Sequence, residues 1–485
     1  MVLQSETLQK YKNIHEQSYK YFMRATEILK DFTDRSYEAY IIGDALRNLL
    51  LLKKISHIEI VTSATTEEIH NIFPAMCVDK NSIPYIKDAS GIFFFSSFDD
   101  DTESIAGKYA EQYYNKKLTK TLQERIFTCN ALSLSPNFNL TDLFTSVDDI
   151  HNRLIRTINK PKLLFKKHPE AILDALLLVS NYGLEIEPKT LKGAVKCSSL
   201  LENIDEVYLI TMIRKIISGR YAYDALEIIK KHKLFKYLPK FDIYVKKVYS
   251  NYELITKNEM IAVLYLIVGE IKDANCFLQE ELFELKTLMS NTRLILTEPI
   301  TAVMVYYVGK NNLLSADRVA SVFNSRYKSQ YKHITKLDRK CVIKDIRDFD
   351  LTDLELQSLL VHQNKKLMLP IKNILLQEVI NRDIQNHNKL LKQEAINISD
   401  QLDEIFGYVD PEVPVTYDDN GVKELHEKFK RQYDLLLKVY LSDEEEIYNL
   451  KSTERADFIK DCEQHARDFL LATDQYKILQ ERGLI

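Results

Sequence analysis

The chain has 485 residues, with 66 Lys and Arg against 70 Asp and Glu, and 45% hydrophobic residues. It is long enough to bury a sizeable core in about three or four modules. No run of about 18 apolar residues occurs, so no transmembrane helix is expected, and the polar start from Met1 to Lys20 lacks the apolar stretch of a signal peptide. The six cysteines (Cys77, Cys129, Cys197, Cys276, Cys341 and Cys462) are far apart and form no CxxC pair. Neither a zinc site nor a disulfide framework is expected from them, and a reducing cytoplasm is the simplest home. Charge is unevenly spread. Residues 151–250 hold 19 Lys and Arg against 10 Asp and Glu, and residues 401–485 hold 11 against 20. A basic middle suits a polyanion such as RNA, although a solvated helix surface has the same composition.

In chain order, a helix is expected near 5–31, then a strand over 38–42. Ala45–Leu52 reads as a helix, and residues 57–61 alternate as a strand. Thr65–Phe73 reads as a helix capped by its threonine. Ile92–Phe98, apolar and rich in aromatics, reads as a buried strand, and Phe127–Leu134 as another. From about residue 146 apolar residues recur three and four apart, as in Ala171-Ile172-Ala175-Leu176-Val179, which is a helical period. Strands first and helices afterwards predict an α+β fold: a mixed β-sheet head with helices, then an all-α body. The run 407–421, with two prolines and two glycines, reads as a linker. Residues 422–485 read as two or three charged helices.

One constellation carries chemistry. Ile41-Ile42-Gly43-Asp44-Ala45-Leu46-Arg47-Asn48 is a strand, a glycine turn and a helix start. His57-Ile58-Glu59-Ile60-Val61-Thr62 follows as a strand that turns His57 and Glu59 to one face. Nucleotide transfer needs a 3′ hydroxyl to attack an α-phosphate, with divalent ions activating the nucleophile and steadying the leaving pyrophosphate. Mg²⁺ takes oxygen ligands, carboxylates above all, and a glycine turn at a helix start offers backbone N–H groups to a triphosphate.

On these residues the chain resembles the class II CCA-adding tRNA nucleotidyltransferases and their poly(A) polymerase relatives. Their pattern runs GGxxRD, DxDxxT, RRDFTINA and EDxxR. Here the corresponding runs are Gly43-Asp44-Ala45-Leu46-Arg47-Asn48, His57 to Thr62, Glu124-Arg125-Ile126-Phe127-Thr128-Cys129-Asn130-Ala131, and Lys167-His168-Pro169-Glu170-Ala171. Asp149 through Arg156-Thr157 follows the family as well. Asn181 to Ile186, Ala225-Leu226 to Leu238-Pro239, and residues 352–396 resemble its neck, body and tail. Coverage is roughly residues 20–398. The resemblance implies a nucleotidyltransferase-like head over 1–158, a helical neck over 159–225, a body over 226–310 and a tRNA-binding-like tail over 311–398. A linker over 399–421 and an acidic helical extension over 422–485 lie beyond it.

The departures fall on the chemistry. The two metal-aspartate positions are His57 and Glu59. Imidazole is a poor Mg²⁺ ligand, and the longer glutamate displaces its carboxylate. Asp44 stands at the second glycine and would set a negative charge beside a triphosphate. Glu124 and Ile126 replace two of three RRD residues, leaving Arg125. The family's base-reading pair corresponds to His168 and Ala171, and its next arginine to Asp174. Alanine and imidazole cannot make the paired hydrogen bonds that select a base. Each lost transition-state ligand or donor commonly costs about 10²–10³ in rate.

Catalytic positions are therefore His57 and Glu59, and nucleotide-binding positions Gly43, Asp44, Arg47, Arg125, Asn130, His168 and Ala171. Arg47 reads as a phosphate contact or as a surface helix arginine. His57 and Glu59 read as the wall of a cleft, or with Asp44 as a transition-metal site. His168, followed by Pro169, reads as a residue at a helix start, or as a general base. Asp99-Asp100-Asp101 reads as a solvated loop or an ion site. Lys160, Lys162, Lys166 and Lys167 form one candidate RNA track, and Lys230, Lys231, Lys233 and Lys236 another, with Tyr221 and Tyr223 nearby to stack on bases.

The leading expectation is an RNA-binding pseudoenzyme of this family, with tRNA or another structured RNA as partner, no membrane and no cofactor. The alternative is a divergent active CCA-adding or poly(A)-type enzyme that uses Glu59, Asp44 and Mg²⁺. The third is an interaction scaffold, with 422–485 docking a protein partner or folding over the basic middle.

Overall fold

A computed structural model of the chain describes residues 2–79, 82–98, 116–360, 367–407, 418–442, 447 and 452–485. The chain divides into two compact units. One is Met1–Tyr252 with Ile271–Cys276, and the other is Glu253–Glu270 with Phe277–Ile485.

The first unit opens with α1 (Ser5–Ile14) and α2 (Glu16–Thr33). A single helix was expected here. The break falls at His15, which leaves helical geometry at φ −137° while its Nε2 meets the carbonyl of Leu52. Then come β1 (Ala39–Ile42), α3 (Asp44–Leu50), β2 (Ile58–Thr62), α4 (Thr66–Ile72), β3 (Cys77–Val78), β4 (Pro84–Lys87) and β5 (Ile92–Ser97). They are followed by α5 (Lys116–Gln123), β6 (Leu132–Leu134), β7 (Leu140–Asp142) and α6 (Ser146–His151). Seven strands form one sheet in the order β3-β4-β5-β2-β1-β6-β7. The β2–β5 pair is parallel and the others are antiparallel, so the sheet is mixed.

The expected Thr65 cap is present as a full capping box: Thr65 Oγ1 accepts from the N–H of Glu68, and the Glu68 carboxylate accepts from the N–H of Thr65. One face of the sheet is covered by α2, whose Phe22, Ala25, Leu29 and Phe32 are buried. Phe32 meets Phe73 and Phe95 at ring distances of 5.5 and 5.8 Å, and Phe73 stacks on Phe95 at 5.6 Å. Phe127–Leu134 is not one strand. Thr128–Asn130 is a short 3₁₀ turn, pinned where Thr128 Oγ1 donates to the buried Asp149 carboxylate at 2.7 Å, and only Leu132–Leu134 is extended.

Helices follow: α7 (Pro161–Lys167), α8 (Ala171–Tyr182), α9 (Pro188–Cys197), α10 (Glu206–Ser218), α11 (Ala222–His232) and α12 (Pro239–Ser250). A small parallel pair, β8 (Leu154–Ile155) with β9 (Glu185–Ile186), sits among them. Glycine permits two close approaches. A Cβ on Gly193 of α9 would lie 2.4 Å from Cβ of Pro161, and one on Gly219 would lie 1.9 Å from Oγ of Ser180 in α8.

The described residues of the second unit are helical. Its helix Asn388–Phe406 carries regular structure through residues expected to be linker, because Leu391, Ala395, Ile398, Leu402 and Ile405 keep one apolar stripe buried. Residues 408–417, which hold both prolines of the expected linker, lie outside the described residues, as do Asp99, Asp100 and Asp101. Beyond them lie helices Asp419–Tyr440, Ser452–Leu471 and Lys477–Glu481. Val422, Leu425, Phe429, Leu436, Ala466, Leu470 and Leu479 share one core with Ile371, Leu375, Leu391 and Leu402. The acidic segment thus spends its apolar faces inside its own unit.

Candidate functional site

The site is built at the end of β1. Gly43 takes φ 75°, ψ −132°, a conformation open to glycine, and starts α3. A Cβ on Gly43 would lie 3.4 Å from Oε2 of Glu59 and 3.5 Å from Nη1 of Arg125. Turn, strand acid and arginine therefore converge. In register, Glu59 pairs with Ile42 on one side and Phe94 on the other. His57, two residues earlier, has its ring 6.3 Å from that of Phe94 and its Nδ1 3.1 Å from Oγ of Ser56.

Glu59 does not stand open. Its Oε2 lies 2.7 Å from Nη1 of Arg125 as an ion pair, with the two side chains 36% and 28% exposed. That oxygen is itself buried and has no well-directed hydrogen bond, so the arginine serves it as a counter-charge. Among the described residues no group of three His, Cys, Asp or Glu side chains could hold a metal ion.

Arg47 is not a surface residue, although it contributes to the lining of the neighbouring cleft. It is 1% exposed. Its Nε donates to Oδ1 of Asn48, Nη1 to Oδ1 of Asp44 and Asn130, and Nη2 to Oδ1 of Asn48 and the hydroxyl of Tyr182, at 2.5–3.2 Å. That is one bond for each of its five N–H groups. Its Cζ also lies 4.4 Å from the Tyr182 ring centroid. Arg47 thereby fastens α3, the Thr128–Asn130 turn and the end of α8 together.

Beside this knot opens a cleft of about 630 Å³, a size suited to a small ligand. Leu177, Leu178, Ile126 and Phe127 give it apolar walls, Asp44, Glu124 and Asp174 supply carboxylates, Arg47 and Arg125 supply guanidinium groups, and Ser96, Ser97, Thr121 and Asn130 complete the lining. Burial, then the neighbouring Glu170 and Asp44 carboxylates, push Asp174 up to about 6, against a pull from Lys215. Burial and the charges of Asp174 and Glu170 push the Tyr208 phenol up to about 12.

His168 is not at a helix start. It closes α7 as its C-cap, and its Nδ1 lies 3.1 Å from Oε1 of Glu170. Pro169 ends α7 rather than opening α8, which begins with the buried Ala171. Neither residue lines the cleft.

Lys160, Lys162, Lys166 and Lys167 are exposed on α7 and its cap. α9 packs against α7 and adds exposed Lys189, Lys192 and Lys196. Their three- and four-residue spacing was a readable signal that sequence reasoning passed over. Lys230 sits 4.0 Å over the ring of Tyr249, which stacks on Tyr223 at 5.0 Å. Lys231, Lys233 and Lys236 are exposed, while the ring of Tyr221 is spent against Gly183.

A mixed sheet with a glycine turn, an acid on the neighbouring strand and a helical continuation defines a nucleotidyltransferase-type head. The poly(A) polymerase head domain family matches residues 39–156. The chain is 29% identical over 265 residues to the CCA-adding enzyme of Staphylococcus epidermidis, covering 53% of this chain and 64% of that protein. It is 23% identical over 361 residues to that of Bacillus subtilis, covering 70% and 89%. Residues 39–156 thus form a poly(A) polymerase-type head, and the chain as a whole is similar to CCA-adding enzymes. In fold it is similar to the Bacillus stearothermophilus CCA-adding enzyme solved in complex with CTP, at TM-score 0.57 and 19% identity, covering 79% of this chain and 99% of that one. It is similar also to the Thermotoga maritima CCA-adding enzyme solved with tRNA, at TM-score 0.53 and 16% identity, covering 78% and 95%. Among the described residues no helix is long and apolar enough to cross a membrane.

Proposed function

We propose that this protein binds tRNA, or an RNA of similar structure, without adding nucleotides to it. The observation that carries the reading is the Arg125–Glu59 ion pair. Glu59 is the one carboxylate at the family's two metal positions, and an arginine already neutralises it. Asp44, the other nearby acid, is held by Arg47 at 2.9 Å. An imidazole at 57 adds a donor poorly matched to Mg²⁺. This donor set does not fit the ion that family chemistry uses. The base-selecting positions offer an alanine and a histidine engaged with Glu170.

RNA affinity is supported by the lysine face of α7 and α9. No ion pair among the described residues involves Lys160, Lys162, Lys166, Lys167, Lys189, Lys192 or Lys196. Unpaired lysines attract a phosphate backbone whatever its sequence. The Thermotoga maritima CCA-adding enzyme, similar to this chain in fold, was solved in complex with tRNA.

The test is Mg²⁺-dependent incorporation of CTP or ATP into tRNA lacking its CCA end, run beside a tRNA-binding titration. Binding with no incorporation is the expected result. Robust incorporation by purified protein, abolished by Glu59→Ala, would falsify the reading.

A further inference from the structure

Tyr223 stands in the first turn of α11 and Tyr249 in the last turn of α12, and the two helices pack on each other. Their rings stack at 5.0 Å between centroids and 19° between planes. The Tyr223 hydroxyl donates to the Tyr249 hydroxyl at 3.0 Å. Stacked rings whose hydroxyls touch also bring together the ring carbons ortho to those hydroxyls, since each lies one bond from the carbon that bears oxygen. Tyr252 meets Tyr223 edge-on instead, at 5.3 Å and 66°, and Tyr306 meets Tyr307 at 89°. The stacked pair is open to solvent, with Tyr223 39% exposed and Tyr249 half-buried.

Two features favour oxidation at this pair. Indole loses an electron more easily than phenol and drains oxidising equivalents away from tyrosine, but this chain has 28 Tyr and no Trp. The hydroxyl of one ring is also placed to donate to the oxygen of the other once that ring has lost its hydrogen. A donated hydrogen bond steadies a phenoxyl radical.

We propose that Tyr223 and Tyr249 form an oxidative cross-linking site, where the rings couple ortho carbon to ortho carbon as dityrosine and tie α11 covalently to α12. Each phenol gives up one electron and its hydroxyl proton. The two phenoxyl radicals join through a new C–C bond, and the hydrogens on the coupled carbons pass to the oxygens as both rings regain aromaticity. The two electrons and two protons reduce one hydrogen peroxide to two waters, the peroxide acting through a one-electron catalyst such as a haem peroxidase. The product changes the charge of the surface. In a biphenol joined in this way one hydroxyl hydrogen-bonds to the oxygen of the other, which makes that other a stronger acid than a lone phenol. Nζ of Lys230, 4.0 Å over the Tyr249 ring, is in place to meet the phenolate. Cross-linking thus sets a negative charge beside Lys230, on a helix whose last turn also carries Lys231, and reduces the pull of that turn on polyanions.

The experiment treats the dilute full-length protein with a haem peroxidase and hydrogen peroxide. Dityrosine fluorescence and the masses of tryptic peptides are read, and thermal melts check that each variant folds. The wild type should gain the fluorescence on chains that still run as monomers in a denaturing gel. It should yield a peptide joining Tyr223 to Tyr249, lighter than its two parts by two hydrogen atoms. Tyr223→Phe and Tyr249→Phe should each lose that peptide, and Tyr252→Phe should keep it. In Lys230→Met the cross-linked phenol should ionise at higher pH than in the wild type, read from phenolate absorbance across a pH titration. Coupling that maps to other tyrosines of the folded wild type, equal yields in Tyr223→Phe and Tyr252→Phe, or cross-links found between chains alone overturn the site. An unshifted titration in Lys230→Met overturns the charge pairing.

Discussion

Nη1 of Arg125 lies 2.7 Å from Oε2 of Glu59, directly over the glycine turn that begins α3. Both side chains are partly exposed, so water screens the pair and its contribution to stability is under about 1 kcal/mol. Its effect is on chemistry: the strand acid is met by a cation, and Nη1 of the arginine is engaged by that acid. Glu59→Gln should move the melting temperature by no more than about 4 °C. It should also tighten RNA binding severalfold by releasing Arg125. A large destabilisation, or weaker RNA binding, in thermal melts and anisotropy titrations would contradict this account.

Arg47→Met should cost about 3–5 kcal/mol. Removing one partner of a buried, fully hydrogen-bonded charge network strands the others. Here those are Asp44, Asn48, Asn130 and Tyr182. Arg47→Lys should also destabilise, because an ammonium cannot reproduce the planar fork. Denaturant unfolding measures both. A loss below about 1 kcal/mol for the methionine variant would show that the knot is dispensable.

Asp174 sets a pH dependence with a definite sign. Its carboxyl is pushed from 3.8 to about 6 by burial and by Glu170 and Asp44, with Lys215 opposing and Tyr208 responding to its charge. The folded state holds this proton more tightly than the unfolded chain. The contribution favours folding below the unfolded value and is lost as pH rises through about 6. Asp174→Asn should therefore stabilise the protein at pH 7.5 by about 1–2 kcal/mol, discounted for partial exposure. The variant should gain nothing near pH 4. Equal gains at both pH values in paired melts would rule out titration as the cause.

Gly43→Ala should destabilise by about 1–3 kcal/mol. Residues other than glycine are strained at φ 75°, ψ −132°. The added Cβ finds ordinary contact distance from Glu59 and Arg125, so the cost is one of backbone conformation. Gly43→Ser should cost a similar amount. Alanine tolerated without loss in urea unfolding would mean that the turn relaxes.

Replacing Lys162, Lys166, Lys192 and Lys196 by alanine should lower the slope of log K against log salt by about 3, at 0.7–0.9 per phosphate contact. The loss should be the same for RNAs of different sequence. An unchanged slope places the RNA elsewhere.

The frame of the head was legible because it depends on local signals. Gly43 between an apolar strand and a helix, the Thr65–Glu68 box, and the alternation around Glu59 each dictate backbone geometry within a few residues. The short strands β3, β4 and β7 were missed, since two to four residues carry too little periodicity and their pairing is fixed by neighbours far along the chain. Arg47 was legible as a position but not as a buried hub. Its partners Asn130 and Tyr182 lie 83 and 135 residues away. His168 was misplaced because a proline after it can close one helix as readily as open another. The Tyr223–Tyr249 stack left no trace in sequence, being assembled from two helices that only folding brings side by side.

The Arg47–Tyr182 contact also fixes how the molecule can choose what enters. It rivets the glycine turn of the head to the far end of the same helix that carries Asp174, Leu177 and Asn181. The flanks of the opening are thus bolted crosswise, a slot of set width rather than a jaw that clamps. Such a slot sorts its guests by shape at the door rather than by closing on them.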